Sequence, residues 1–373
     1  MTDATRPTDG TRPFEATDPT GPSIDATPLT DARDRPLLVG VDVGGSKIAV
    51  LVVDREEVVL GRQLAQTTAV DSDRAADEIV AVVNAALLSA GARTDDVAAI
   101  GIGVPGRVDP ATGTVTLAVN LGWSDLPLGP RLEAGLGRPC VVENDVRAAA
   151  LGLHRRRLLG AIDDLAYLAV GTGVSAGVVL DGRLHRGARG LAGEIGHVIV
   201  EPGGARCACG QRGCLETLVS GSAIARLARE AIGSGRATAL ATGSATPGAP
   251  TAVDVYLAAA SGDPLATEIA DAVGRRLAWA VHLLVMTYDV ERVVLGGGVS
   301  HAGETFVQPI RWELERMRGA SALAREQLIP GIEELLPPGA DAGAWGAVTI
   351  AAAMHAGIGA GHGWEEVGHV RET

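Results

Sequence analysis

The sequence is poor in aromatic residues and in cysteine. Phe, Trp and Tyr make up 3% of its 373 residues, and cysteine occurs 4 times. So few cysteines in a chain of this length do not suggest the disulfide framework of a small secreted domain. Hydrophobic residues nevertheless reach 46%. We therefore predict a sizeable core built mainly from Ala, Val and Leu.

Excess positive charge and long apolar runs are absent as well. The formal net charge is −13, which disfavours a surface for nucleic acids. The N-terminus has no apolar segment of the signal-peptide type, and no uninterrupted apolar stretch has the length of a membrane span. We therefore expect a soluble, cytoplasmic protein that binds neither nucleic acid nor a membrane.

Glycine, in contrast, is abundant at 50 residues, and it interrupts two similar segments. "PLLVGVDVGGSKIAVLVVD" at 36–54 and "LAYLAVGTGVSAGVVLDGRL" at 165–184 both alternate between apolar runs and short glycine stretches. Two apolar strands joined by a tight glycine turn predict a β-hairpin. The recurrence of this pattern predicts a duplicated architecture. Residues 1–35, rich in Thr, Pro, Asp and Gly, are expected to form a disordered tail.

Three of the four cysteines lie within eight positions of one another. Cys207, Cys209 and Cys214 follow His197 in the loop at about 196–216. Three thiolates and one imidazole complete a tetrahedral zinc shell, whereas a disulfide between Cys207 and Cys209 would close a very small, strained ring. Four protein ligands leave no position for a catalytic water, so the zinc is predicted to be structural. The alternative is a reduced, glycine-rich loop without metal. Cys140, in an apolar strand, is predicted to be core.

A carboxylate lies beside each end of this cysteine-rich loop. Glu194 precedes His197 by three residues, and Glu216 follows Cys214 by two. A metal that rigidifies the loop would hold both carboxylates in fixed positions, and each can accept hydrogen bonds from two sugar hydroxyls. The alternative is that both are surface acids.

Three strands end in glycine-rich loops. These are "DVGGSK" at 42–47, "GTGVSAG" at 171–177 and "LGGGVS" at 295–300. Glycines let backbone N–H groups approach phosphate oxygens closely, and Ser46 and Lys47 add a hydroxyl and a cation. Each loop alone is equally consistent with an ordinary turn. Together they predict a nucleotide held between two lobes.

An Asn-Asp pair stands where a strand gives way to a helix. In "VVENDVRAAALG", Asn144 suits the N-cap, and Asp145 suits the positive end of the helix dipole. That structural explanation is sufficient by itself. The same dipole also favours an ionised carboxylate where a general base is needed, as in the attack of a sugar hydroxyl on a γ-phosphate.

These motifs together resemble the ROK family (repressor, open reading frame, kinase). The matching stretches are "DVGGSK", "GVPG", "END", "GTGVSAG", "LAGEIGH", "CACGQRGCLE" and "LGGGVS", in family order over roughly 37–356. The resemblance, closest to the bacterial glucokinases of the family, implies an actin-like ATPase or hexokinase-type fold with two α/β lobes, each a mixed sheet flanked by helices. The lobes are expected at 36–147 and 148–373, and the last helix is expected to pack back on the first lobe.

The resemblance also implies an activity, ligands and site residues. It implies a hexose kinase of carbohydrate metabolism and glycolysis that uses ATP with Mg²⁺ and binds glucose. Asp145 would be the general base, and the sugar contacts would be Asn144, Glu194, His197, Glu216 and Gly106. The phosphate and nucleotide contacts would be Asp42, Gly44, Gly45, Ser46, Lys47, Gly171, Thr172, Gly173, Gly296, Gly297 and Gly298. His197 would serve both zinc and sugar, and Asp42 would orient Mg²⁺. The family implies a homo-oligomer, a dimer or a tetramer.

The chain departs from the family pattern in two places. The loop "GTGVSAG" carries Ser175 and Ala176 where glycine is usual, and Leu153 stands where an acid is common. Neither change removes a chemical group from the expected mechanism.

Alternative functions stay open. They are a sugar-sensing regulator without kinase activity, a sugar-binding protein without catalysis, a kinase for N-acetylmannosamine, fructose or mannose, and a kinase that uses polyphosphate. The acidic charge and the absence of a two-helix pattern in the first 36 residues disfavour the regulator.

Overall fold

The computed structural model describes residues 36–68, 72–243 and 249–357, and the tail predicted at 1–35 lies outside them. The strands are β1 (Leu37–Val43), β2 (Lys47–Val53), β3 (Val59–Gln66), β4 (Val97–Val104), β5 (Arg107–Asp109), β6 (Thr114–Ala118), β7 (Trp123–Leu126), β8 (Cys140–Asn144), β9 (Leu165–Val170), β10 (Val174–Leu180), β11 (Arg183–Leu184), β12 (Arg292–Gly296) and β13 (Glu333–Leu335). The helices are α1 (Ser72–Ser89), α2 (Leu128–Leu136), α3 (Asp145–Arg155), α4 (Glu216–Val219), α5 (Gly221–Gly233), α6 (Leu240–Gly243), α7 (Ala252–Ala260), α8 (Pro264–Tyr288), α9 (Glu304–Ala320), α10 (Ala322–Gln327) and α11 (Ala342–His355).

Two five-stranded sheets share one topology. The first has the order β3-β2-β1-β4-β8, and the second has the order β11-β10-β9-β12-β13. In the first sheet β1 pairs antiparallel with β2 and parallel with β4. In the second sheet β9 pairs antiparallel with β10 and parallel with β12. Both predicted hairpins and the predicted duplication are therefore confirmed.

The central strands are apolar because helices cover both of their faces. Val39 and Val41 of β1 are fully buried, as is Leu168 of β9. Strands buried on both faces favour continuous runs of Val, Ile and Leu over strict alternation. Cys140 of β8 is also buried, which confirms its predicted place in the core, and burial raises the pKa of its thiol to about 12.

Helix α11 packs tightly against the first sheet and against α3. A Cβ added at Gly40 of β1 would come within 2.3 Å of the Ala344 carbonyl oxygen, and one at Gly346 within 1.8 Å of the Ala148 carbonyl oxygen. Such close backbone approach requires glycine. The division into lobes at 147 and 148 stays a prediction.

Several elements have no counterpart in the sequence analysis. Strands β5, β6 and β7 form a separate three-stranded sheet, and α9 and α10 follow the third glycine loop. The small-residue segment 234–252 contains the short helix α6, and its residues 244–248 lie outside the described ones. Among the described helices, each falls short of the length or apolarity required for crossing a membrane.

Candidate active site and metal centre

The four predicted zinc ligands converge on one point. The side-chain ligand atoms of His197, Cys207, Cys209 and Cys214 all lie within 4.8 Å of one another. The Sγ atoms of Cys209 and Cys214 are 3.7 Å apart, and Cys207 Sγ is 3.6 Å from His197 Nδ1. Two thiolates that share one tetrahedral zinc lie about 3.8 Å apart, given Zn–S bonds of about 2.3 Å. The arrangement therefore fits zinc, and all four cysteines are free thiols.

A short turn between the cysteines produces this convergence. The N–H of Cys207 donates to the carbonyl of Gln211 at 2.8 Å, and the N–H of Gly210 donates to the carbonyl of Cys207 at 3.0 Å. Gly210 and Gly213 have positive φ values of 94° and 79°. At Gly213 an added Cβ would lie 1.7 Å from the Glu201 carbonyl oxygen. Glycine is therefore required where the chain turns back toward His197.

The His197 ring presents its two nitrogens to different neighbours. Nδ1 faces the Cys207 thiol, whereas Nε2 lies 4.0 Å from a carboxylate oxygen of Glu194. The imidazole and the Glu194 carboxylate are each more than a third exposed. One imidazole nitrogen is thus available to a metal while the other remains on the accessible side, next to a carboxylate.

Glu216 connects the metal loop to the second glycine loop. Its Oε2 accepts a hydrogen bond from the N–H of Val174 at 3.0 Å, and its Oε1 lies 3.7 Å from Cys207 Sγ. An added Cβ at Gly173 would come within 2.6 Å of the same Oε2. Glu216 is therefore in contact with both segments, and its orientation depends on both.

Asn144 caps helix α3 and also binds the segment that follows β4. Its Oδ1 accepts from the N–H of Arg147 at 3.0 Å, which confirms the predicted N-cap. Its Nδ2 donates to the Gly106 carbonyl at 3.0 Å. The amide carries two N–H donors, so one remains for a further acceptor. The structure thus brings Asn144 and Gly106 together.

Asp145 and Asp42 influence each other electrostatically. Burial, and then the charge of Asp42, raise the pKa of Asp145 to about 7. Burial also raises the pKa of Asp42 to about 6, against the lowering influence of the Lys47 ammonium. The Asp42 carboxylate lies near the start of α11, because a Cβ added at Gly343 would be 2.4 Å from its Oδ2. Two partly buried carboxylates that repel each other electrostatically favour a cation bound nearby or a proton retained on one of them.

Two of the three glycine loops are adjacent. Gly171 lies near Gly298, and its carbonyl accepts from the N–H of Gly221 at the start of α5 at 2.7 Å. In the first loop the N–H of Gly44 donates to the carbonyl of Lys47 at 2.7 Å, closing the hairpin turn. Within the described ranges no hydrogen bond joins that turn to the 171–173 loop.

Three charged residues that meet around the end of β8 were not predicted from the sequence. Glu143, Arg147 and Arg186 form an ion network next to the Asn-Asp pair. The available signal was a carboxylate inside the apolar strand "CVVEN", because a buried charge requires a partner. Asn120 was also missed, and its amide lies beside Gly173.

Known proteins resemble the chain over most of its length. The model of the ROK family matches residues 38–354. A glucokinase of Halalkalibacterium halodurans is 37% identical over 285 residues, which cover 74% of this chain and 84% of the relative. A glucokinase of Streptomyces coelicolor is 34% identical over 284 residues, covering 75% of this chain and 87% of the relative.

A solved structure gives the same result. The ROK family glucokinase of Streptomyces griseus, in complex with glucose and AMPPNP, has a TM-score of 0.70 and 34% identity, covering 85% of this chain and 99% of that one. A xylose repressor of Caldicellulosiruptor bescii is also similar, at 28% identity over 284 residues, 75% of this chain and 70% of the relative. The predicted fold class and the predicted class of enzyme, a sugar kinase, are confirmed. The chain belongs to the ROK family.

Proposed function

We propose that this sugar kinase transfers the γ-phosphoryl group of ATP to the 6-hydroxyl of glucose. The observation that carries the proposal is the carboxylate of Asp145, which stands at the N-terminus of α3 with its pKa raised to about 7 by burial and by Asp42. A general base works best when its pKa lies near the working pH. The glucokinases at 34–37% identity support glucose as the acceptor.

Five residues are proposed to bind the sugar. Glu194 and Glu216 accept hydrogen bonds from hydroxyls, and Asn144 uses its second amide N–H. His197 Nε2 faces the same side as Glu194, and Gly106 holds Asn144 through its carbonyl. Carboxylates can each accept from two hydroxyls, so this set is suited to a polyhydroxylated acceptor.

Zinc is proposed to hold His197 and the loop around it. The thiols of Cys207, Cys209 and Cys214 and the Nδ1 of His197 would be its ligands, and their spacing fits. A bound metal supplies rigidity here, because four protein ligands close the shell. With Nδ1 engaged, the tautomer of His197 is fixed and Nε2 carries the proton, which it donates to a sugar oxygen.

The glycine loops are proposed to bind the nucleotide. The first loop offers Gly44, Gly45, Ser46 and Lys47, and the second offers Gly171, Thr172 and Gly173; Gly296, Gly297 and Gly298 border the adenosine. Mg²⁺ bound with ATP would neutralise phosphate charge, and Asp42 is the carboxylate proposed to orient it. The raised pKa values of Asp42 and Asp145 support a cation here.

The chemical step is an in-line transfer. The acceptor oxygen forms a bond to the γ-phosphorus while the bond from that phosphorus to the β–γ bridging oxygen breaks, which releases ADP. Asp145 takes the proton of the acceptor hydroxyl as its oxygen becomes bonded to phosphorus. Accurate placement contributes most of the rate, because proton removal is modest in such a loose transition state.

A coupled ADP-release assay tests the proposal. Glucose, mannose, fructose and N-acetylmannosamine are supplied in turn, with ATP or polyphosphate as donor. The highest kcat/KM is expected for glucose with ATP. A higher value for another sugar or for polyphosphate would overturn that specificity. No turnover together with a gel shift of genomic DNA would favour a regulator instead. A homo-oligomeric state, a cytoplasmic location and a role in glycolysis remain proposals.

A further inference from the structure

A buried ion network surrounds Glu143, the last residue before the Asn-Asp pair. Glu143 is 1% exposed. Its Oε1 accepts from Arg147 Nε at 3.0 Å and from the N–H of Asn144 at 2.8 Å. Its Oε2 accepts from Arg186 Nε at 2.6 Å. One carboxylate therefore binds the strand end, the first turn of α3 and a residue 43 positions away.

The network reaches the acceptor side of the site along two routes. Arg186 lies at the start of the loop 186–193, which leads directly to Glu194. Arg147, itself 3% exposed, also donates from Nη1 to the Gly190 carbonyl at 2.6 Å, in the middle of this loop. The Arg186–Glu143 contact joins two charged groups, and the Arg147–Gly190 contact is a short hydrogen bond from a charged donor. Hydrogen bonds with a charged partner are stronger than those between neutral groups.

The loop is rich in glycine, so fixing its conformation requires contacts with the rest of the molecule. Gly187, Gly190 and Gly193 all have positive φ values, of 71°, 64° and 90°, and glycine has the most conformational freedom of any residue. Leu191 in its middle is 39% exposed. At its end the Gly193 carbonyl accepts from the N–H of Ala176 at 2.8 Å. Within the loop the N–H of Gly190 donates to the Gly187 carbonyl at 3.3 Å and the N–H of Ala192 to the Arg186 carbonyl at 3.1 Å, whereas the arginine contacts connect the loop to β8 and α3.

Stability alone gives weak grounds for such a network. A buried ion pair contributes little net free energy relative to apolar residues of similar size, because desolvation offsets the attraction. What it does provide is a fixed geometry, because a guanidinium binds a carboxylate with defined direction. Here the fixed geometry sets the position of Asp145, the proposed base, relative to Glu194, which is proposed to bind the sugar acceptor.

We propose that Glu143, acting through Arg147 and Arg186, positions the loop that carries Glu194 against the strand end that carries Asn144 and Asp145. These three charged residues are positioning residues and do not touch the substrate. The inference rests on the proposed function, since it takes Glu194 as an acceptor ligand. Weakening the network should therefore weaken acceptor binding selectively and leave ATP binding almost unchanged.

The test compares the same substitution at two arginines of this loop. Arg186→Gln is expected to raise the KM for glucose by about tenfold to hundredfold, the range of a hydrogen bond between charged groups, with the KM for ATP within about twofold. Arg186→Lys should recover part of the loss. Arg189→Gln is the matched control: Arg189 is exposed and has no hydrogen-bond or ion-pair partner among the described residues, so its glucose KM should stay unchanged.

A double mutant identifies Glu143 as the partner. Glu143→Gln combined with Arg186→Gln should raise the glucose KM by less than the product of the two single effects, because both changes remove the contact between Glu143 and Arg186. Strictly additive effects would overturn the pairing. If Glu143→Gln does not fold, the Arg186 and Arg189 variants decide the question.

Amide hydrogen exchange gives a readout that does not depend on activity. Arg186→Gln should speed exchange at 187–193 relative to the rest of the chain, and Arg189→Gln should not. An unchanged glucose KM together with unchanged loop exchange overturns the proposal, as does a uniform increase in exchange across the chain. If the wild-type protein phosphorylates no hexose, the proposed function fails, and the loop exchange still decides whether the network orders this loop.

Discussion

In the proposed mechanism, Asp145 is the residue on which the chemistry depends most directly. Its backbone begins α3, its carboxylate accepts from the N–H of Val146 at 2.9 Å, and its pKa is raised to about 7. The helix N-terminus favours the ionised form, while burial and Asp42 favour the protonated form. These opposing influences leave a carboxylate that can both accept and release a proton near neutral pH.

Replacing this carboxylate by an amide should abolish base catalysis without altering shape. We expect Asp145→Asn to lower kcat by about 10²–10⁴-fold, the usual contribution of a positioned base, with glucose affinity nearly retained. Stopped assays give kcat, and calorimetry gives the affinity. Asp95→Asn, at an exposed surface ion pair with Arg138, is the control and should be silent. Near-normal turnover of Asp145→Asn would show that another group is the base.

The raised pKa values also predict how activity depends on pH. Since Asp145 must be ionised to accept a proton, kcat/KM should rise with pH and level off above about 7. The pKa obtained from the kcat/KM profile belongs to the coupled pair of Asp42 and Asp145.

The free energy of unfolding changes with pH in the opposite direction. Both folded pKa values exceed the unfolded value of about 3.9, so the stability contributed by these two carboxyls is present below that pH and is lost as the pH rises through about 6 to 7. A flat kcat/KM profile between about pH 5 and 8 would contradict the assignment.

At this scale, local sequence patterns predicted only part of the site. The cysteine spacing was sufficient to predict the convergence of Cys207, Cys209 and Cys214, because a short turn determines it. The Glu143–Arg186 contact was not predictable, because it joins residues 43 positions apart. A charge inside an apolar strand indicates that a partner exists but does not identify it.

At the scale of elements, the metal loop should behave as a unit. Cys209→Ser removes a proposed ligand, so we expect loss of zinc, a lower melting temperature and a higher glucose KM. Elemental analysis of the wild type should return one zinc per chain, in line with the single four-ligand cluster found among the described residues. Cys140→Ala is the control: it opens a small cavity in β8 but should keep both zinc and the glucose KM. Full zinc content in Cys209→Ser would exclude that thiol as a ligand.

The contact between α3 and α11 gives a second test at this scale. Gly346→Ala would place a methyl group 1.8 Å from the Ala148 carbonyl oxygen, so the helices must separate, at a cost of about 1–3 kcal/mol in unfolding free energy. Gly319→Ala in α9 meets nothing within 4 Å, and helix propensity should stabilise it by up to about 1 kcal/mol. Urea unfolding of both variants measures the difference. Equal stability would mean that the two helices can adjust without strain.

Glycine patterns predicted elements well where the signal was local. Both hairpins and α3 were predicted, because a tight turn or a helix N-cap lies within the segment itself. Strands β5–β7 were not predicted, since strands of three to five residues are too short to show a period. Helix α9 packs against α8, and α10 packs against α9, and such tertiary packing is not encoded in the local pattern.

For the whole molecule, the proposed acceptor site joins segments from both five-stranded sheets. Asn144 and Asp145 follow β8 of the first sheet, whereas Glu216 binds the first residue of β10 in the second sheet. A ligand that contacts both segments stabilises only the state in which both are folded. Binding is therefore linked to unfolding of the molecule as a unit.

Thermal unfolding measures that linkage without requiring turnover. Glucose at one hundred times its dissociation constant should add about 2.7 kcal/mol to the free energy of unfolding, seen as a rise in melting temperature. Asp145→Asn should keep the rise, because the base acts in the chemical step. Glu194→Gln should lose most of it, because an amide replaces the carboxylate that is proposed to accept hydrogen bonds from sugar hydroxyls. Galactose, which differs from glucose at one hydroxyl, is the ligand control, and a site built on paired hydroxyl contacts should give it a smaller rise. An equal rise for wild type and Glu194→Gln would mean that the sugar binds without this carboxylate.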